Sequence, residues 1–265
     1  MRLRTDTDNL LHTNPSLYLA FNGDNDESMA QFILKLLSDY KAGKAVLDVG
    51  CGTGREVAAL RRAGYEAVGL DNSEEMLAWA RTHHPGAEFV HGDQADFSLG
   101  RRFDALYCVG STFLYNFTNE AVLASLRSFR RHLQPGGLLY LDMRNAAFFL
   151  TPEGQRWLSE ELAEETTANG HTVSLRTRFS IDCAKQLLLR DYRWTVPGRE
   201  PIAERLEHRL LFPQELALYL ELTGFRPLQL FDEPAPHISR FERGLPLEFG
   251  GDMQGRRMQV IARAV

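Results

Sequence analysis

Cysteine is scarce in this chain. Among 265 residues there are three, Cys51, Cys108 and Cys183, odd in number and widely spaced. That pattern argues against a disulfide framework and against a zinc site. A basic surplus is missing too. The 30 Lys and Arg stand against 35 Asp and Glu, a formal net charge of -5 with no basic stripe, which weighs against a DNA or RNA partner. No apolar run approaches the roughly 20 residues of a transmembrane helix, and Met1 to His12 lacks the apolar centre of a signal peptide. Internal repeats and low-complexity stretches are absent. The histidines are scattered; only His83 and His84 adjoin, and they read as solvated surface. What remains is ordinary globular composition, 44% hydrophobic and 25% charged. It points to a soluble cytoplasmic protein without a membrane partner, and leaves the oligomeric state open. The length suits one large domain with an insertion, or one domain plus a small lid.

The stretch up to Asp26 is polar and irregular, with Tyr18 and Phe21 embedded. Helical spacing of Met29, Phe32, Ile33, Leu36 and Leu37 predicts a helix from Glu27 to Tyr40. Short apolar runs predict strands at 45–49, 67–71, 88–91, 103–109 and 138–142. Between them lie helices at 55–63, 74–82 and about 119–133, the second N-capped by Ser73. Pro135-Gly136-Gly137 separates the last helix from the last strand. Strands alternating with helices imply a parallel sheet with right-handed crossovers. After Asn145 the pattern changes to strand-like runs at 171–181, 186–196 and 202–212, read as an inserted antiparallel unit. A helix from Pro213 to Thr223, a strand at 227–231 and a final antiparallel strand at 258–264, at or near the sheet edge, complete the chain. The expected fold is α/β: a Rossmann-like, seven-stranded, mostly parallel sheet with helices on both faces and an inserted antiparallel β lid. The divisions are 1–40 as N-terminal cap and helix, 41–148 as cofactor-binding core, 149–212 as lid and substrate region, and 213–265 as the rest of the core.

In such sheets ligands lie beyond the C-terminal strand ends. The unusual residues collect there: Gly50 to Gly54, Asp71, Asp93, Gly110 and Asp142. A glycine turn after the first strand lets backbone approach a ligand where a side chain would collide. A carboxylate at Asp71 can accept from ribose hydroxyls, and one at Asp93 from an adenine amino group. Either could instead be an ordinary strand-end turn residue. A nicotinamide dehydrogenase needs G-x-G-x-x-G, but here the third glycine comes one position early, at Gly54, and Arg55 holds its slot.

The stretch Leu47-Asp48-Val49-Gly50-Cys51-Gly52-Thr53-Gly54 resembles motif I of class I S-adenosylmethionine-dependent methyltransferases. Gly69 to Met76 resembles the acidic segment of that family, Gly92-Asp93-Gln94-Ala95-Asp96 its adenine-binding segment, and Leu133 to Leu138 its turn into the fifth strand. The resemblance implies S-adenosylmethionine as cofactor and S-adenosylhomocysteine as product. It implies that Asp48 and Gly50, Cys51, Gly52 and Gly54 line the methionine part and ribose. Asp71 would bind the ribose hydroxyls, Asn72 and Met76 would flank the adenine, and Asp93, Gln94 and Ala95 would reach its edge. Cys108 and Gly110 would lie under the sulfonium, and Tyr18 would close over the cofactor.

For the methyl acceptor, Phe113, Tyr115, Asn116 and Phe117 follow the fourth strand. The Asn/Asp-Pro-Pro-aromatic motif of DNA amino-methyltransferases is missing there, which weighs against nucleobases. Arg144 and Asn145 follow the fifth strand, and Tyr192 and Trp194 sit on the insert; these complete the expected substrate contacts. Candidates for catalysis are Tyr115, Asp142 and His208, the last either a general base or a satisfied core histidine. No metal is expected, since the Asp-Asn pairs are Asp8-Asn9, Asp24-Asn25 and the cofactor pair Asp71-Asn72. The layout resembles small-molecule N- or O-methyltransferases, including those acting on amino sugars. That implies transfer to an amine or hydroxyl. The competing readings are an inactive cofactor-binding partner protein and an RNA or protein methyltransferase.

Overall fold

In a computed structural model the described residues are 9–23, 26–244 and 246–265. Asp8, the pair Asp24-Asn25 and the start of the Met1–His12 segment lie outside them. The chain opens with α1 (Pro15–Asn22) and α2 (Ser28–Asp39). The core follows as β1 (Ala45–Val49), α3 (Arg55–Arg62), β2 (Glu66–Asp71), α4 (Glu74–His83), β3 (Glu88–His91), β4 (Phe103–Cys108), α5 (Asn119–His132) and β5 (Leu133–Arg144). Next come α6 (Pro152–Ser159) and the insert, β6 (Glu161–Ala168), β7 (His171–Asp182), β8 (Leu187–Thr195) and β9 (Ile202–Arg209). α7 (Pro213–Leu222), β10 (Phe225–Phe231) and β11 (Arg257–Ala264) return to the core.

The main sheet has seven strands in the order β10-β11-β5-β4-β1-β2-β3, and only β11 runs antiparallel to its neighbours. β11 therefore sits one strand in from the edge, and β10 forms the edge. Two apolar clusters cover the faces, one with Leu47, Leu106, Phe129 and Val260, the other with Phe32, Val46, Tyr107 and Ile261. Strands β1, β4 and β5 are buried on both faces, which explains their near-continuous apolar runs. Crossovers bring Val49, Asp71, Cys108 and Arg144 to one edge of the sheet, and the site forms there.

The insert is a separate antiparallel sheet in the order β6-β7-β8-β9. Its inner face carries Val173, Leu175, Tyr192, Trp194 and Leu206, and α1 docks there through Leu17. Burying a leucine of that kind contributes about 1.5–3 kcal/mol. Besides the unexpected helix α6, three features differ from the sequence expectation. The N-terminal segment holds α1, started by Pro15 and capped by Asn14, whose side chain accepts from the Leu17 amide. β6 is a fourth strand of the insert; its Glu-, Thr- and Ala-rich, mostly exposed sequence shows little alternation. β5 begins at Leu133, so Pro135 to Gly137 lie within an irregular strand start rather than between elements. Among the described residues no helix is long and apolar enough to cross a membrane.

Candidate active site

One cavity of about 630 Å³ opens at the C-terminal ends of the strands, between the main sheet, α1 and the insert. At one end lies the glycine turn. The Gly50 and Cys51 amides donate to the Leu70 carbonyl at 2.7 and 3.1 Å, which ties the turn to β2. The Asp71 carboxylate accepts from the Gly52 amide at 2.7 Å and the Ser73 amide at 2.9 Å. Burial pushes the Asp71 carboxyl up, and those amides counter it. Asp71 is thus fixed by the turn it is meant to serve. Ser73 caps α4 by accepting from the Met76 amide.

Gly52 and Gly54 differ in purpose. Both have positive φ, but an added Cβ on Gly52 meets nothing within 4 Å, because it faces the cavity. A Cβ on Gly54 would lie 2.5 Å from the Phe89 ring. Gly54 does not line the cavity; it lets α3 approach β3. We therefore expect Gly54→Ala to lower stability by about 1–3 kcal/mol through crowding, seen as a lower thermal midpoint. Gly52→Ala should fold with only the left-handed penalty, about 1–2 kcal/mol, and bind S-adenosylhomocysteine at least tenfold more weakly. Unaltered affinity in Gly52→Ala would rule out its place in the ligand cradle.

The same end is acidic. Asp48 is 2% exposed; its carboxylate meets the Tyr107 hydroxyl, but Oδ1 has no partner of normal geometry. Burial first, then the Glu56 charge, holds its carboxyl well above the usual range. The neighbouring Tyr107 hydroxyl lacks a partner of normal geometry as well. Tyr18 lies on the cavity wall, its phenol pushed up to about 12 by burial and then by Glu56. Gln94 donates to the Thr112 carbonyl at 3.0 Å and leaves Oε1 buried and unpartnered. Asp93 accepts from the Ala95 amide at 2.7 Å. Met76 and Asn72 complete this wall. Arg55 also lines this end and pairs with Glu56 at 2.8 Å, which leaves Asp48, Asp71 and Gln94 as the acceptors suited to a cation rich in donors, so the residues fit S-adenosylmethionine with its ammonium, sulfonium, hydroxyls and adenine amino group.

The other end is basic. Arg144, Tyr115, Arg190, Tyr192 and His208 line it. Arg190 donates to the Tyr192 hydroxyl at 3.0 Å, to the Tyr115 hydroxyl at 3.4 Å and to His208 Nε2 at 2.7 Å. A guanidinium only donates, so Nε2 must accept and the His208 proton sits on Nδ1. The lone pair a base would use is already engaged, which tells against His208 as general base. Burial and the Arg190 charge also push its pKa well down. His12 behaves alike. Its Nδ1 lies 2.9 Å from the Asn9 amide nitrogen, while Asn9 Oδ1 accepts from the His12 backbone. Burial, with Arg190 adding, lowers it to about 4.

Several expected contact residues lie outside the cavity lining. Asp142 is fully buried and holds Arg257 through two hydrogen bonds, 3.0 and 2.5 Å, while accepting from the Gly110 amide at 3.2 Å. It is a structural anchor rather than a residue open to substrate. Asn145 donates to the Met253 and Gly255 carbonyls and is fully buried. Cys108 and Phe113 belong to the main core, Phe117 packs edge-on against Tyr115, and Trp194 donates to Glu204 inside the insert. Asn116 reaches the lining, but its amide is occupied by the Phe113 carbonyl and the Ser125 hydroxyl. Lining residues that the sequence does not single out include His12, Glu56, Arg190 and His237. For Arg190 a signal existed: it shares the buried face of β8 with Leu188, Tyr192 and Trp194. His12 and His237 sit outside helices and strands and had none.

A Rossmann-like sheet with an acidic cradle at the first glycine turn defines the class of fold, one the chain shares with S-adenosylmethionine-dependent methyltransferases. Residues 46–137 match the family model described as a methyltransferase domain. The chain is 39% identical over 130 residues to the dTDP-3-amino-3,4,6-trideoxy-alpha-D-glucopyranose N,N-dimethyltransferase of Streptomyces venezuelae, covering 49% of this chain and 52% of that protein. It is 26% identical over 274 residues to the trans-aconitate 2-methyltransferase of Paracidovorax citrulli, covering 94% and 95%. The chain thus spans about half the length of the curated amino-sugar relative it matches. Among solved structures it resembles S-adenosylmethionine-bound CalS10, an amino pentose methyltransferase of Micromonospora echinaspora involved in calicheamicin biosynthesis. The TM-score is 0.72 at 21% identity, over 95% of this chain and 96% of that one. That likeness is one of fold.

Proposed function

We propose that this protein transfers a methyl group from S-adenosylmethionine to a small molecule by in-line displacement, with an amine as the favoured acceptor over a hydroxyl. The observation that carries the reading is the continuity of the cavity: the acidic cradle and the basic chamber are one space, walled by α1 and the insert. When bound, S-adenosylmethionine supplies an electrophilic methyl group on a positive sulfonium. The chain supplies alignment and exclusion of water. Asp71 and Gly52 hold the ribose end, Asp48 the methionine end, and Met76, Asp93 and Gln94 the adenine. Residues 149–212 act as the lid over the acceptor, with the described part of residues 1–40 as a cap beside it.

An amine needs only to arrive neutral, whereas a hydroxyl needs a base. The lone pairs of His12 Nδ1 and His208 Nε2 are taken. His237 lines the cavity beside Gly110, with its Nδ1 3.8 Å from Asp142 Oδ2. Desolvation and then the Arg257 charge hold it below its usual range, so it is neutral at pH 7. That makes it a weaker base than an ordinary imidazole, so the proton of the methylated ammonium is released to solvent with the product. The amino-sugar and amino-pentose relatives support an amine. A walled chamber of this size disfavours RNA and protein acceptors. Calorimetry with S-adenosylhomocysteine, followed by turnover with a panel of amino sugars and amino acids, tests the reading. Micromolar binding with conversion of an amine is expected. Absence of cofactor binding overturns the reading, and binding without turnover of any small molecule returns the protein to a non-catalytic role.

A further inference from the structure

The cavity is divided by charge, and its unsatisfied groups divide the same way. At the cofactor end the buried orphans are acceptors, Asp48 Oδ1 and Gln94 Oε1; at the far end they are donors, Arg144 Nε, Arg190 Nε and His208 Nδ1. Among the described residues three arginines are buried, each 6% exposed: Arg190, Arg209 and Arg257. Arg209 pairs with Glu215 at 3.0 Å and Arg257 with Asp142 at 2.5 Å. Arg190 has only neutral partners, two phenols and an imidazole. Arg144 makes no side-chain hydrogen bond among the described residues, and its guanidinium lies 5.7 Å from the centre of the Phe179 ring. Neither Arg144 nor Arg190 has a carboxylate within ion-pair distance among the described residues.

A buried cation without a counter-ion is costly, and the fold neutralises its other two buried arginines. Here it sets two like charges on one chamber. Burial, with the Arg190 charge adding, draws Arg144 down to about 9, so both remain charged at neutral pH. A guanidinium is suited to planar, bidentate recognition of carboxylate or phosphate oxygens. We propose that the methyl acceptor is an anion, its carboxylate or phosphate oxygens held by Arg190 and Arg144, which directs its nucleophile toward the acidic cofactor end. This deepens the methyltransferase reading and rests on it. The charge split also sorts the ligands: the cationic donor is drawn to one end and the anionic acceptor to the other.

The test titrates the protein loaded with S-adenosylhomocysteine, using malonate, inorganic pyrophosphate and neutral malonamide as probes. It is run on the wild type, Arg190→Gln and Arg144→Gln. At least one anion should bind, at least tenfold more weakly in each variant, with malonamide not binding and S-adenosylhomocysteine affinity unchanged. Preference for malonate assigns a carboxylate acceptor, and preference for pyrophosphate a phosphorylated one. Arg190 has no counter-ion but donates to Tyr192, Tyr115 and His208, so the thermal midpoint of Arg190→Gln is measured first to establish that the chamber is intact. If Arg190→Gln disturbs β8, Arg144→Gln keeps the test intact, since that side chain makes no hydrogen bond the fold uses. Equal anion affinity in all three proteins, or no anion binding while S-adenosylhomocysteine binds, overturns this proposal alone. Failure of S-adenosylhomocysteine to bind overturns the methyltransferase reading, and the probes then still report on the arginines in the free protein.

Discussion

Asp142→Asn is expected to cost about 3–5 kcal/mol of folding stability, the usual effect of removing one partner of a buried ion pair. Asp142 is fully buried and Arg257 is 6% exposed. The two share hydrogen bonds at 3.0 and 2.5 Å, and the Arg257 guanidinium also donates to the Ser111 hydroxyl at 2.9 Å. Burial alone would raise the Asp142 pKa, but the Arg257 guanidinium, His237 and the Gly110 amide together more than offset it and the net shift is downward. The pair joins β5 to β11 at the register Asp142–Gln259 and holds the Gly110 amide, so it fixes the turn after β4. For a chain of this size the loss corresponds to a drop in thermal midpoint of roughly 10 °C. Urea unfolding of Asp142→Asn, Arg257→Gln and the double variant checks the assignment. The double variant should recover part of the loss, because no bare charge is left inside. A single variant as stable as the wild type but without turnover would restore Asp142 to catalysis.

The pairing of Asp142 with Arg257 marks where sequence reading stops. The place of Asp142 at the end of the fifth strand was legible, because β5 is a continuous apolar run and a charged residue ends it. Its partner was not, since Arg257 lies 115 residues away and meets it only through the antiparallel entry of β11. The cofactor end was readable because its residues come from contiguous segments, each directly after a strand. The acceptor end is built from four distant pieces: the N-terminal segment, the turn after β4, β5 and the insert. Trp194 and Arg190 show the difficulty on one strand. They share a face of β8, yet Trp194 is sealed by Glu204 and α1 while Arg190 opens on the cavity. Periodicity gives the face; only tertiary packing gives the neighbour. α1 escaped for a related reason. Its eight residues bury only Leu17 and Leu19, so the helix is held by docking on the insert rather than by a strong stripe of its own.

Asp48→Asn should weaken S-adenosylmethionine binding about tenfold to a hundredfold, the loss of a charge-assisted hydrogen bond at about 1.5–3 kcal/mol, while raising the stability of the ligand-free protein. The second effect follows from the sign of the pKa shift. Burial, then Glu56, raises the folded-state pKa of Asp48 above its unfolded value. Between those two values the folded state holds the extra proton, so stability falls as pH rises through that window. An asparagine at this position has no proton to lose and escapes the loss. Binding reverses the preference. A ligand ammonium or sulfonium favours the ionised carboxylate and lowers its pKa in the complex, so the complex holds fewer protons than the free protein. Wild-type affinity should therefore rise with pH up to the raised Asp48 pKa and then level off. Calorimetry in buffers of different ionisation enthalpy should detect proton release on binding to the wild type and a smaller release with Asp48→Asn. S-adenosylhomocysteine, which lacks the sulfonium charge, should be less affected by the substitution than S-adenosylmethionine. Equal proton release from both proteins, or a wild-type affinity that does not vary with pH, would mean that Asp48 is not the group neutralised by the cofactor.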